Sequence, residues 1–253
     1  MTLPRHPAVH LERALAGGSS WPIVVRDDAG ARWLVKLRGN AHGVAPLVAE
    51  IIVGELAAAL GLAVPARAII TLAGTLATDD PHQELADLVA RSGGDNLGLA
   101  WLPDARVATA TDLAALDRAT AARVVWLDGL VENLDRTAAN PNLLVADGQL
   151  WLIDHGAALA FHYAWPALTE ATPRRPLAPR APHVLAARAA PLATVDEPAA
   201  AALTRAVLDA AVAVVPDSLL GPDATRHRAA YAAYLWKRLR APRPFVPAAA
   251  IGS

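Results

Sequence analysis

At 253 residues the chain can bury a full core, as one two-lobed unit or as two small domains. The absence of Cys excludes disulfides, thiolate chemistry and Cys-based zinc sites. A formal net charge of −1 leaves no electrostatic footprint for nucleic acid, and the 54% apolar content, raised by Ala, holds no run near the roughly 20 residues that span a bilayer.

Residues 1–16 read as a polar lead-in with a helical turn around 10–16. They lack the long apolar stretch of a signal peptide, so a cytoplasmic protein with no membrane partner is expected. Gly17-Gly18-Ser19-Ser20 follow, small residues whose backbone N–H groups can face an anion ahead of a strand. Residues 23–26 and 32–37 then form a hairpin turned through Asp27-Asp28-Ala29-Gly30. Among 23 Lys and Arg only Lys36 and Lys237 are Lys, and Lys36 lies inside an apolar strand, where its ammonium can meet phosphates as a point charge.

Residues 44–60 are the first clear helix, apolar nearly all round and ended by Gly61. Its only charges are Glu50 and Glu55, and a carboxylate there needs a cation, since an unpaired buried charge costs several kcal/mol. Lys36 is the nearest by chain logic. A strand at 66–72, a short helix at 79–91 and a loop at 92–96 come next. Residues 97–102 fit a strand or a segment connecting two lobes beside a nucleobase. The pattern from 111 to 131 is helical, capped by Thr111 or Asp112, with Val124, Leu127 and Val131 on one stripe.

Residues 133–156, NLDRTAANPNLLVADGQLWLIDHG, carry the chemistry. Apolar runs at 142–145 and 150–153 flank Asp147-Gly148, a tight-turn signal, so a hairpin brings Asp154 beside the loop 135–140. Three of the five Asn of the chain, Asn133, Asn140 and Asn142, fall here. Turns attract Asn and Asp for local capping alone. A second acid arriving as Ile-Asp-His-Gly favours phosphoryl transfer, with Asp135 positioning an attacking hydroxyl and Asn140 and Asp154 as oxygen ligands for Mg²⁺ on ATP. Beyond Gly156, residues 165–182 hold five Pro and three Arg and read as an extended surface segment, followed by helices at 183–190, 197–214 and 222–239.

These blocks resemble the HipA-like kinase family, a branch of the protein-kinase-like superfamily. The resemblance rests on Gly17-Gly18-Ser19-Ser20 with Pro22 and then Lys36, on Glu50 with Leu60-Gly61-Leu62-Ala63-Val64-Pro65, and on Asn133-Leu134-Asp135-Arg136 with Asn140 and Ile153-Asp154-His155-Gly156. It implies an α+β, two-lobed kinase-like fold: an N-terminal ATP-binding lobe over 1–102, with a small sheet and one buried helix, and a mainly helical lobe over 103–253. It implies Asp135 as catalytic aspartate, Asn140 and Asp154 as metal ligands, Lys36 as phosphate-binding lysine, Glu50 as its brace, ATP and Mg²⁺ as cofactors, and Ser or Thr of a protein as acceptor. The chain is shorter than the long toxin-type members, and its Gly-Ser loop does not copy their phosphate loop. Small-molecule kinases of the aminoglycoside or choline type share the Asp-x-x-x-x-Asn and Ile-Asp pattern but carry His where Asn133 stands. A nucleotide-binding pseudokinase acting as a regulator is the reading of another class.

Overall fold

The computed structural model describes residues 2–15, 21–74, 76, 83–177 and 181–247. It opens with a strand, not a helical turn: β1 (Arg5–Ala14) pairs antiparallel with β2 (Ile23–Asp27) and parallel with β4 (Arg67–Leu72). Its register slips between Ala8 and His10, so the inward residues Ala8 and Leu11 stand three apart, a spacing that mimics a helix. With β3 (Arg32–Lys36) and β5 (Gly94–Ala100) these strands close a barrel in the order β1-β2-β3-β5-β4. Closure leaves no open edge to template aggregation.

Ile23, Val25, Trp33, Val35 and Ile70 fill the barrel, and α2 (Gln83–Arg91) adds Leu85, Leu88 and Val89 to that core. The hairpin β2–β3 turns as its sequence suggests. Asp27 accepts from the N–H groups of Ala29 and Ala31 at 3.0 and 2.8 Å and from Trp33 Nε1 at 2.8 Å.

Helix α1 (Ala45–Ala59) belongs to a second, larger core. Its Leu47, Ile51 and Leu56 join Ile69, Leu97 and Leu99 of the barrel to the helices that follow. Gly61, at φ +69°, ends it: Leu62 N–H donates to Ala57 at 3.0 Å and Gly61 N–H to Ala58 at 2.9 Å, the paired bonds of a Schellman stop. Glu55 pairs with Arg67 at 2.7 Å, which leaves Glu50 for another cation.

The single helix expected over 111–131 is two. Thr109 caps α3 (Ala110–Ala115) in a capping box with Asp112, and Asp117 restarts the chain as the cap of α4 (Arg118–Val131), accepting from Thr120 N–H at 2.8 Å. The cap expected at Thr111 or Asp112 is Thr109, with Asp112 as its capping-box partner, and Asp117 is the cap that divides the expected helix. After α4, β7 (Leu143–Ala146) and β8 (Gln149–Leu152) form the expected hairpin, with β6 (Arg106–Val107) as a third strand. Asp147 and Gly148 both have positive φ, +50° and +73°, as a two-residue primed turn demands.

Residues 165–182 carry only short 3-10 turns among the described positions, at Trp165–Ala167 and Thr172–Arg174. The fully buried Arg238 secures them, donating to the carbonyls of Pro173, Arg175 and Gly129. Residues 183–190 form no helix: His183 bridges to Thr137 and meets the buried Asp128 at 2.9 Å, and turns follow it. The helix expected over 197–214 divides into α5 (Ala193–Ala202) and α6 (Arg205–Ala213), the latter capped by Thr204. Then come α7 (Asp217–Leu220) and α8 (Ala224–Leu239). Tyr234 of α8 stacks on Phe161 at 3.8 Å, and Tyr231 meets His162 Nδ1 at 3.0 Å.

Gly98 of β5 packs where a Cβ would overlap the Ile70 side chain and lie 3.3 Å from the Trp33 ring. Gly98→Ala should therefore lower unfolding free energy by roughly 1–3 kcal/mol. Urea denaturation checks this, and an unchanged midpoint would show that the barrel has room there.

Candidate active site

Lys36 ends β3 with its side chain turned into the junction between barrel, α1 and the β7–β8 hairpin. The ammonium lies 3.3 Å from Glu50 Oε2 and 2.7 Å from Asp154 Oδ1. Glu50 also accepts from the backbone N–H of His155, so α1 grips the hairpin exit directly. Burial alone would lower the Lys36 ammonium, but Glu50 and Asp154 outweigh it and raise it, keeping the cation charged. Burial pushes the Glu50 carboxyl up against the pull of Lys36. For Asp154 burial is outweighed by Lys36, which holds the carboxyl below the usual range.

Asp135 faces this cluster from the loop after α4. Its Oδ2 accepts from Asn140 Nδ2 at 2.8 Å and from Asn142 Nδ2 at 3.2 Å, while its own N–H donates to Asn133 Oδ1 at 3.2 Å. Asn142 and Asp154 are both left-handed, at φ +49° and +54°. The hairpin thus brings Asp135, Asn140 and Asp154 to one hollow with Lys36, of about 330 Å³.

A larger cleft of about 830 Å³ shares Lys36, Asn140 and Asp154 with that hollow. Its apolar walls include Leu34, Pro65 and Leu99 from the barrel side and Leu144 and Ile153 from the hairpin. Leu34, Leu99 and Leu144 carried no signal in the sequence beyond their apolarity, whereas Pro65 and Ile153 belong to the family-like blocks. The stretch 97–102 is strand through Ala100, after which Trp101 and Leu102 line the cleft. Gly17, Gly18, Ser19 and Ser20 lie outside the described residues; Leu15 and Pro22, which flank them, line the same cleft.

The donor set suits a hard cation. With Nδ2 on Asp135, Asn140 has its Oδ1 to offer, and Asp154 has Oδ2 while Oδ1 holds Lys36. A carboxylate and an amide oxygen beside a lysine fit Mg²⁺ carried in on phosphates.

Behind the loop lies a buried network that the sequence reading missed. Asp128 of α4 accepts from Arg136 Nε at 2.6 Å and from Asn133 Nδ2 at 3.1 Å, and meets His183 Nε2 at 2.9 Å. Burial works to raise the Asp128 carboxyl, but Arg136 and His183 outweigh it and hold it well below the carboxylate range. Arg136 NH2 meets His155 Nδ1 at 3.3 Å, and burial with that guanidinium lowers His155 to about 3. Asn133, Arg136 and His155 stand in the family-like blocks and Asp128 is an acid on the stripe of Val124, Leu127 and Val131, but no local pattern joined them.

His155 and His162 (lowered by burial to about 4) stay neutral in the fold where a free imidazole, at 6.5, takes a proton. The unfolded chain therefore binds more protons between about pH 6.5 and 4, so acid destabilises the fold across that window. The expected slope is roughly 1.4 kcal/mol per pH unit per histidine. Urea denaturation from pH 7 to 4.5 should show it, with His162→Gln halving the slope; a flat profile would contradict the neutral assignment.

A family model described as HipA-like kinase matches residues 9–170, which contain Lys36, Glu50, Asp135, Asn140 and Asp154. Compared by sequence with functionally curated proteins, the chain has no significant match. By fold it is similar to the Helicobacter pylori proinflammatory kinase CtkA, with a TM-score of 0.59 and 11% identity over 89% of each chain. It is also similar to the Golgi casein kinase, with a TM-score of 0.50 and 11% identity over 95% of this chain and 75% of that one. At such identity these likenesses show the fold, α+β and protein-kinase-like. On the family match over most of its length, the chain belongs to the HipA-like kinases and is a phosphotransferase.

Proposed function

We propose that the chain transfers the γ-phosphoryl group of ATP, in the presence of Mg²⁺, to a Ser or Thr hydroxyl of a protein. The observation that carries this is the convergence on Lys36: a buried ammonium held by Glu50 and Asp154, at the boundary of an apolar cleft and a hollow containing Asp135. In this reading residues 1–102 form the nucleotide lobe and 103–253 the helical lobe. The nucleobase takes the apolar cleft, and the triphosphate runs past Lys36 toward Asp154 and Asn140.

Asp135 orients the acceptor hydroxyl and receives its proton as the oxygen attacks the γ-phosphorus. The bond from that phosphorus to the β-phosphate oxygen breaks, and ADP leaves. Lys36 offsets charge on the phosphates, and Asn140 and Asp154 would hold Mg²⁺, which supplies further charge neutralisation when bound. Catalysis of this kind is positioning and electrostatics rather than covalent chemistry. A polypeptide acceptor is favoured by the surface around Asp135. Leu134, its chain neighbour, is 41% exposed, and Tyr163, which lines the hollow, is 57% exposed.

Asp135→Asn and Asp154→Asn should each lower turnover by at least about a hundredfold, or roughly 2.7 kcal/mol of barrier. Transfer of labelled phosphate from ATP to protein and to hydroxylated small-molecule pools reads both rate and acceptor class. Near-normal turnover in either variant would sink its assigned role, and small molecules as the far better acceptors would replace the protein-kinase reading.

MgATP should also raise the thermal midpoint of the wild type, and Asp154→Ala should abolish the Mg²⁺-dependent part of that shift. Stabilisation without transfer to any acceptor, water included, would mark a pseudokinase. No shift at saturating ATP would undercut the nucleotide site itself.

A further inference from the structure

We infer that Arg136 and Asp128 form a positioning joint that fixes Asp135 relative to Asp154, with His183 as its third member. This inference rests on the phosphotransferase reading of the site. Neither Arg136 nor Asp128 lines the cleft or the hollow, and each is 1% exposed, so they act through other residues.

The partners of the guanidinium carry the argument. Arg136 follows Asp135 in the chain. Its NH1 donates to the carbonyls of Asn142 and Ile153, its NH2 meets His155 Nδ1, and its Nε binds Asp128. Ile153 and His155 flank Asp154 on either side. Asn142 closes a ring, because its carbonyl accepts from Arg136 while its Nδ2 donates to Asp135. One rigid fork therefore touches the chain on both sides of Asp154 and the residue that orients Asp135. A buried ion pair is a poor device for stability alone, since apolar residues often pack as well. A planar fork spanning four acceptors does what apolar packing cannot: it sets a separation.

Asp128 holds the fork in place and is itself held by three donors. His183 is one of them: its Nδ1 accepts from Leu185 N–H at 3.0 Å, which leaves the proton on Nε2 for Asp128. Val184 N–H donates to the Arg136 carbonyl at 3.0 Å, so the chain after the Pro/Arg segment buttresses the same joint.

The test compares phosphoryl transfer by wild type, Arg136→Lys, Asp135→Asn and the double variant, with rates normalised to sites titrated by MgATP binding. Arg136→Lys keeps the charge and loses the fork. It should lower kcat by at least about tenfold, since misplacement by 1 Å can cost about a hundredfold. Added to Asp135→Asn it should cost less than about twofold, because the separation from Asp154 that the fork sets no longer matters once the Asp135 carboxylate is gone. His183→Ala should lower kcat several-fold, and His183→Gln, which keeps a donor at the Nε2 position, should recover most of that loss.

A merely structural role predicts losses that multiply in the double variant and no rescue by Gln; either result would overturn the joint. If Arg136→Lys does not fold, the His183 pair decides alone, and His183→Ala with wild-type kcat overturns the proposal. Absence of transfer by the wild type would remove the phosphotransferase reading of the site and this inference with it. Normal wild-type transfer with multiplying losses would remove the inference only.

Discussion

A buried ammonium is the constraint on which the geometry of the cleft depends. Lys36 is 8% exposed, and a cation taken out of water must be compensated on the spot. The lysine and its two partners come from three separate places in the chain: β3 supplies the lysine, α1 supplies Glu50 and the exit of β8 supplies Asp154. Satisfying one charge therefore ties barrel, helix and hairpin together. The two carboxylates are not equivalent. The Glu50 side chain is 2% exposed and also holds His155 N–H, whereas that of Asp154 is 48% exposed. Glu50 is the partner sealed from water, and Asp154 is the one open to it.

The packing explains why Glu50 can be so dry. Helix α1 buries ten of its residues because it lies between the outer face of the barrel and the helices α4, α6 and α7. An all-round apolar helix is what such a position requires. The barrel has its own smaller core inside, with α2 against it. The lysine-bearing strand thus has one core on each side, and its end projects where the two cores meet the hairpin.

Local patterns made most of this legible in the sequence. The turn at Asp147-Gly148, the stop at Gly61, the lone Lys on an apolar strand and the acids at 135 and 154 each declare themselves within a few residues. What escaped was either non-local or disguised. The bulged β1 hides its alternation and closes onto β4 some sixty positions away. Asp117 and Thr204 look like helix residues because cap and helix share the same neighbourhood. Asp128 and His183 are ordinary residues until folding places them within hydrogen-bond reach of each other. Charges with a nearby sequence signal stood out, whereas Asp128 and His183, which meet only across the fold, did not.

The backbone at this site shows the same division. Glu132, Asn142 and Asp154 all sit at positive φ without being glycine, a conformation that costs of order 1–3 kcal/mol for each such residue. Each is held there by partners outside its own segment. Glu132 meets Tyr234 at 2.6 Å, Asn142 is clamped between Asp135 and Arg136, and Asp154 is bonded to Lys36 and flanked by the contacts of Arg136 and Glu50. Asn and Asp tolerate this region better than other side chains, which is a physical reason for their density between residues 128 and 154. The turns at Asn142 and Asp154 aim both side chains back toward Asp135 and Lys36. The surrounding charge network therefore supports a backbone that would otherwise relax, and the site's geometry is bought with stability drawn from buried polar contacts.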